Sequence, residues 1–234
     1  MEIEVPMRCG AMVVILASLL ISPAIAADGA ARPTATTLPS TVPAGRKLPF
    51  IQVDIAHKTL RVECRTVKAE YPLEFYCVVA NTYEYEAVLS SQVKPSNLHL
   101  ALLMLGLQPG KSLQYSKATD SLTPPKGPEL RLSVEWVKDA RLVRYPANQL
   151  LRSIKTKQPA PAMTWCFAGS RIIKGAYMAD VTGYLVSVVN VDGMVIDLPK
   201  PSSRAMDDRE WEPNWELMPE TGTQVWLVIE PTGK

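Results

Sequence analysis

The residues of this sequence with the most chemical potential are its few cysteines and histidines, together with carboxylates set among apolar or aromatic neighbours. They are densest in PLEFYCVVANTYEYEAVLSS, residues 72–91. There Cys77 sits on an apolar run, Glu84 and Glu86 follow between tyrosines, and His99 comes soon after. A cysteine, a carboxylate and a histidine can build a metal site or an activated nucleophile. They can equally be a packed thiol beside a solvated turn. The chain has only two histidines, so chemistry that needs an imidazole must use His57 or His99. His57 shares a two-residue turn with Lys58 and reads as solvated. His99 falls in the first turn of a predicted helix. It is either a base or metal ligand partnered by Glu86, or a histidine satisfied by a backbone carbonyl.

Other motifs are few. GLQPGKS, residues 106–112, is one residue short of the phosphate loop G-x-x-x-x-G-K-[ST], and its glycines end a helix where such a loop must open one. It reads as a helix stop and a turn. The patterns G-x-S-x-G, H-E-x-x-H and C-x-x-C and the dinucleotide fingerprint do not occur in the sequence, which removes the strong signals for hydrolase, zincin, redox and nicotinamide chemistry. In REWEPNWE, Trp211 and Trp215 stand with Glu210, Glu212 and Glu216. That stretch is either an acidic, aromatic rim for sugars or cations, or an edge segment whose tryptophans cover the core. No cofactor and no metal is implied by these residues.

The beginning of the chain points to export. The apolar run Ala11–Ile21 is followed by Ser22-Pro23 and then Ala24-Ile25-Ala26, a small-x-small cleavage signal, so residues 1–26 read as a signal peptide. A run of eleven residues falls short of the roughly 20 that cross a bilayer as a helix. The expected product is periplasmic or extracellular, with no integral membrane segment after cleavage. Met7, which would open MRCGAMVV, is an alternative start. Without residues 1–26 the net charge is +3, and no basic block with interleaved aromatics occurs, so nucleic acid is not an expected partner. Residues 27–49 form a flexible Pro/Ala/Thr-rich tether, because their composition buries too little apolar surface to offset the entropy of ordering. Residues 50–231 read as a single domain.

The elements that must position these side chains are mostly strands. FIQVDIA and TLRVEC flank the His57-Lys58 turn as a hairpin, and LEFYCVVA continues the meander. In ELRLSVEWV the residues Leu130, Leu132, Val134 and Trp136 alternate with polar ones, the pattern of a half-buried strand. Two helices are predicted. One spans about 95–106, with Ser96 or Asn97 as the cap and Gly106 as the stop; it is apolar nearly all round and so should be buried. The other is a short amphipathic helix over about 146–155, with Leu150, Leu151 and Ile154 on one side. The expected class is α+β, rich in antiparallel strands, with one buried helix. Beyond residue 26 an odd number of cysteines remains: Cys64, Cys77 and Cys166. A hairpin closed at KAEYP would oppose Cys64 and Cys77 with Cβ atoms about 4.5–5.5 Å apart. That is at the edge of disulfide reach, so a bridge and simple packing both stay open.

Read end to end, the chain resembles the YdjY-like domain of exported bacterial proteins. The matching segments are LEFYC, YEYEAVL, VKPSNLHLALLMLGLQPG, VEWV, WCFAGS, IDLPKPSS and MPETGTQVWLVIEP. The resemblance implies that Cys77, Glu86, His99, Gly106, Pro109-Gly110, Gly169, Ser170, Asp197 and Ser202-Ser203 fall on motif positions. Tyr85 stands where relatives commonly carry a histidine, which argues against a two-histidine metal site. It brings no established activity with it. The expected function is a non-enzymatic binding or interaction module for an exported or envelope partner or a small ligand, with Cys77, Glu86, His99, Gly169, Ser170 and Asp197 in its binding region. The alternative is a small exported hydrolase with His99 as base or metal ligand, Glu86 orienting it, and Ser170 or Cys77 as nucleophile.

Overall fold

A computed structural model describes residues 48–200 and 210–233. The signal-peptide and tether expectations, apart from residues 48 and 49, and the Ser202-Ser203 motif lie outside the described residues. Ten strands form the main sheet: β1 (Ile51–Asp54), β2 (Thr59–Thr66), β3 (Phe75–Val79), β4 (Ala87–Ser91), β5 (Glu129–Lys138), β6 (Arg141–Pro146), β7 (Trp165–Phe167), β8 (Tyr184–Ser187), β9 (Ile196–Asp197) and β10 (Gln224–Pro231). Two helices accompany them, α1 (Pro95–Met104) and α2 (Met178–Thr182).

The expected α+β class is overturned. The chain is mostly β, with 42% strand against 12% helix, and eight strands close into a barrel. The ring runs β2, β10, β5, β7, β9, β8, β3, β4 and back to β2, with β1 added to β2 and β6 added to β5. Periodicity reveals which strands are half-buried but not that a sheet closes on itself. Closure depends on which distant strands pair. An eight-stranded barrel is just wide enough for side chains to fill, and Leu60, Val62, Leu132, Val134, Trp165, Phe167, Leu227 and Ile229 belong to its core. The indole of Trp165 donates to the Ser187 carbonyl at 2.9 Å, so this large buried side chain leaves no polar atom unpaired.

The predicted meander also fails at one point. β2 and β3 do not form a hairpin, because β4 lies between them, antiparallel to β2 and parallel to β3. Residues 80–86 therefore return along the wall from the end of β3 to the start of β4. The tyrosine-rich stretch is this return connection. Tyr83 packs with Phe75, Val78, Ala87 and Tyr184 in a small cluster separate from the main core. β8 and β9 form a second parallel pair, and the connection between them adds Met194 and Val191 to the same cluster.

The two predicted helices fare differently. α1 forms where expected and sends Leu98, Ala101 and Leu102 into the core, but it is not covered all round: Leu100 and Leu103 remain exposed. Its first turn carries no side-chain cap of its own. Instead Asp180 of α2 accepts the Ser96 backbone N–H at 2.8 Å. Gly106, at φ +84°, ends the helix as predicted. The second expected helix is a single 3-10 turn, Ala147–Leu150, followed by the short strand Leu151–Ser153 paired with Trp211–Pro213. Leu150 and Leu151 are both buried; adjacent leucines satisfy a turn-then-strand path as well as one face of a helix.

Candidate functional site

The predicted residues separate into four places. Three of them, His99, Gly169 and Ser170, come together where α1 covers one end of the barrel. His99 Nδ1 lies 2.9 Å from the Tyr177 hydroxyl, which donates to the Gly169 carbonyl at 3.2 Å. With the tyrosine proton spent on Gly169, Nδ1–H is the donor to the tyrosine oxygen, and Nε2 keeps the lone pair. The half-buried ring stands edge-on to Phe167 and Tyr177, with centroids at 4.9 and 5.5 Å. This burial lowers the imidazole pKa below its ordinary value, opposed by the Gly169 carbonyl. Gly169 takes φ +87°, and a Cβ there would come within 2.4 Å of Pro109 Cβ, so only glycine fits between helix end and strand.

Ser170 does not have the partners of an activated nucleophile. Its hydroxyl donates to the Gly193 carbonyl at 2.6 Å and accepts the Ala179 backbone N–H at 3.1 Å, which pins the first turn of α2. Neither partner is a base.

Glu86 belongs to the other end of the barrel. It closes the 3-10 turn Glu84–Glu86 that leads into β4, while α1 begins beyond the far end of that strand. Five residues of strand separate the two by roughly 17 Å. Cys77 is in neither place. It is fully buried in the core, and its Sγ is 3.8 Å from that of Cys64, both as free thiols. Burial first, then the neighbouring Cys64, pushes the Cys77 thiol well above its ordinary range.

Asp197 sits in the barrel wall, fully buried, in register with Cys166 of β7. One carboxylate oxygen accepts from the Ser187 hydroxyl (2.6 Å), the Leu198 N–H (2.7 Å) and the Asn190 amide (3.2 Å); the other has no partner. Burial pushes the carboxyl up to about 6 against those three donors, and burial, with Asp197 adding to it, pushes the Cys166 thiol up to about 12. Asp197 thus fixes the connection between β8 and β9. In the REWEPNWE segment two of the three acids are ion-paired: Glu212 with Arg152 and Lys157, and Glu216 with Arg152.

Sequence reasoning missed Tyr177, Asp180 and the hairpin Ile172–Ile173/Ala176–Tyr177 that carries the tyrosine to His99. The signal was present in RIIKGAY, where Lys174-Gly175 between two short apolar pairs is a two-residue turn. Both residues have positive φ, 48° and 80°, as a type I′ turn requires. Among the described residues, no group of three or more His, Cys, Asp or Glu could hold a metal ion, and no helix is long and apolar enough to cross a membrane.

Fold and site together define a closed eight-stranded barrel domain whose helix-covered end gathers His99, Gly169 and Ser170 of the sequence motif. A family profile, the YdjY domain, matches residues 51–230, and the chain belongs to that family, as the resemblance implied. The function of the family is uncharacterised. No curated protein and no solved structure matches the chain.

Proposed function

We propose that the protein is an exported, non-enzymatic binding module that uses the α1 end of the barrel as its recognition surface. The observation that carries this reading is how the motif residues there are used. His99, Tyr177 and Gly169 bond to one another, Ser170 is engaged with backbone on both sides, and together they hold α1, α2 and the 172–177 hairpin as one surface. Exposed Leu100, Leu103, Ile172, Ile173 and Val181 sit on those same elements. A hydrolase centred on Glu86 and His99 would need the two within hydrogen-bond reach, and a whole strand separates them.

Site-resolved photocrosslinking tests the proposal. A photoreactive phenylalanine analogue is incorporated at position 172, on this surface, or at position 137, an exposed valine near the opposite end of β5. Adducts in intact cells are expected from position 172 and not from position 137. Equal yields at both positions, or none at 172, would overturn the reading.

A further inference from the structure

The α1 end of the barrel combines exposed aliphatic side chains with a border of cations. Ile172 is 72% exposed and Val181 65%, Ile173 is 37%, and Leu100 and Leu103 are 36% each. A soluble surface carries single apolar residues without consequence, but a group of them on adjoining elements marks a contact site. The elements do adjoin: His99 of α1 is bonded to Tyr177 of the hairpin, and Asp180 of α2 accepts from Ser96 of α1. The two isoleucines form the short strand that leads into the Lys174-Gly175 hairpin turn, flanked by Arg171 and Lys174.

Charge decides what such a surface fits. Lys94 opens α1, Arg171 and Lys174 bracket the isoleucines, and Lys111 and Lys126 bridge next to Gly110, whose N–H is bonded to Phe167 just before Gly169. All five cations are exposed. The acids on these elements, Asp180 and the neighbouring Asp192, are held in ion pairs with Lys94 and Arg171, which takes up two of the five cations and leaves Lys111, Lys126 and Lys174 as the net positive charge of the rim. The surface therefore presents aliphatic side chains inside a cationic rim, the combination that binds an anionic bilayer by shallow apolar insertion plus electrostatic attraction.

We infer that this end of the barrel docks on the surface of an anionic phospholipid membrane, with Ile172 and Ile173 entering the interface. The inference rests on the reading of this surface as the recognition surface and names its partner. Lysine and arginine stems lie along the apolar surface while their charged ends reach the headgroups. The hairpin is too short to span, so the contact is peripheral and salt-sensitive.

Vesicle sedimentation with the full chain tests it, using phosphatidylglycerol/phosphatidylethanolamine vesicles against phosphatidylcholine vesicles. Binding to the anionic vesicles is expected to fall at least tenfold in the Ile172→Asp/Ile173→Asp variant. It should fall about fivefold for Lys174→Gln, roughly the loss of one cation near the surface, and should not change in Val137→Asp. Melting temperatures of all three variants establish that they are folded. A second readout separates this surface from any other membrane-binding part of the chain: an environment-sensitive dye on an Ile172→Cys variant should shift to the blue on anionic vesicles, and the same dye on Val137→Cys should not. No blue shift at position 172, or a shift equal at both positions, overturns the lipid assignment. If position 172 still crosslinks in cells while the dye is silent on vesicles, the surface is a protein-binding one; the lipid inference then fails and the recognition surface stands.

Discussion

At the scale of single residues, the most consequential group is the carboxyl of Asp197. Its pKa rises from 3.8 to about 6 on folding. Below pH 3.8 the folded and unfolded chains both hold the proton. Between the two values the folded chain keeps a proton that the unfolded chain releases, so stability falls as pH rises through this window and stays lower above it. The difference between these two values is worth about 3 kcal/mol. Urea unfolding of the wild type and of Asp197→Asn between pH 4 and 7 checks this: the wild type should lose stability across the window, and the variant, which keeps an oxygen to accept from Ser187, Asn190 and Leu198, should show a flatter profile. An identical slope in both would assign the pH dependence elsewhere. The thiols give a second prediction. With β4 between them, the backbones of Cys64 and Cys77 stand two strands apart, roughly 9 Å, beyond the separation of about 7 Å that a disulfide tolerates. Alkylation in denaturant without reductant should therefore label all three cysteines beyond residue 26, Cys64, Cys77 and Cys166. A mass two hydrogens lower, with Cys166 alone of these three labelled, would mean that the wall between β2 and β3 rearranges.

At the scale of elements, close backbone approaches hold the motif in place. Gly110 donates to the Phe167 carbonyl at 2.9 Å, and a Cβ on Gly110 would lie 1.8 Å from the Lys126 carbonyl oxygen; on Gly127 it would lie 2.1 Å from that of Phe167. Backbone cannot yield there without breaking the junction of three segments that seats Gly169. Gly127→Ala is accordingly expected to cost about 3 kcal/mol or more, and Gly222→Ala, with open space around its Cβ but φ +88°, only about 1 kcal/mol. Chemical denaturation measures both, and equal costs would show that crowding at Gly127 is relieved by local movement. These approaches explain what the sequence could and could not reveal. α1 was legible because an apolar run stopped by Gly106 is a local signal, although the expected Ser96 or Asn97 cap does not form and the helix begins at Pro95. The alternation in β5 was legible for the same reason. The insertion of β4 between β2 and β3 was not, because residues 80–86 look like any turn until Tyr83 is seen to cover Phe75. At the site, His99 and Gly169–Ser170 were readable as motif positions, whereas Asp180, which caps a helix 84 residues away, leaves no local trace.

At the scale of the whole molecule, the barrel is a ring of unequal seams. β10 pairs with β2 and with β5 over six residues each, whereas β4 meets β2 only through Arg65↔Ser90 and Thr66↔Leu89, β7 joins β5 and β9 by two pairs each, and β9 joins β8 by one. Backbone pairing protects amides only where it is continuous, and short seams open at lower free energy than the whole domain. The three long antiparallel strands should therefore behave as the stable part of the domain, with the β7–β9–β8–β3–β4 arc opening before them. Native-state hydrogen exchange resolves this directly: amides of β2, β5 and β10 should exchange only through global unfolding, and those of β4, β7 and β9 through a smaller opening with weaker denaturant dependence. Uniform protection around the ring would mean that core packing by Trp165 and Phe167 holds the short seams as firmly as the long ones. The order also bears on function, since α1 follows β4 directly and Gly169 and Ser170 lie just beyond β7. The recognition surface is thus carried by the half of the ring with the fewest backbone bonds. If α1 and the 172–177 hairpin gain exchange protection on anionic vesicles while β2, β5 and β10 do not change, docking acts on the weak arc alone.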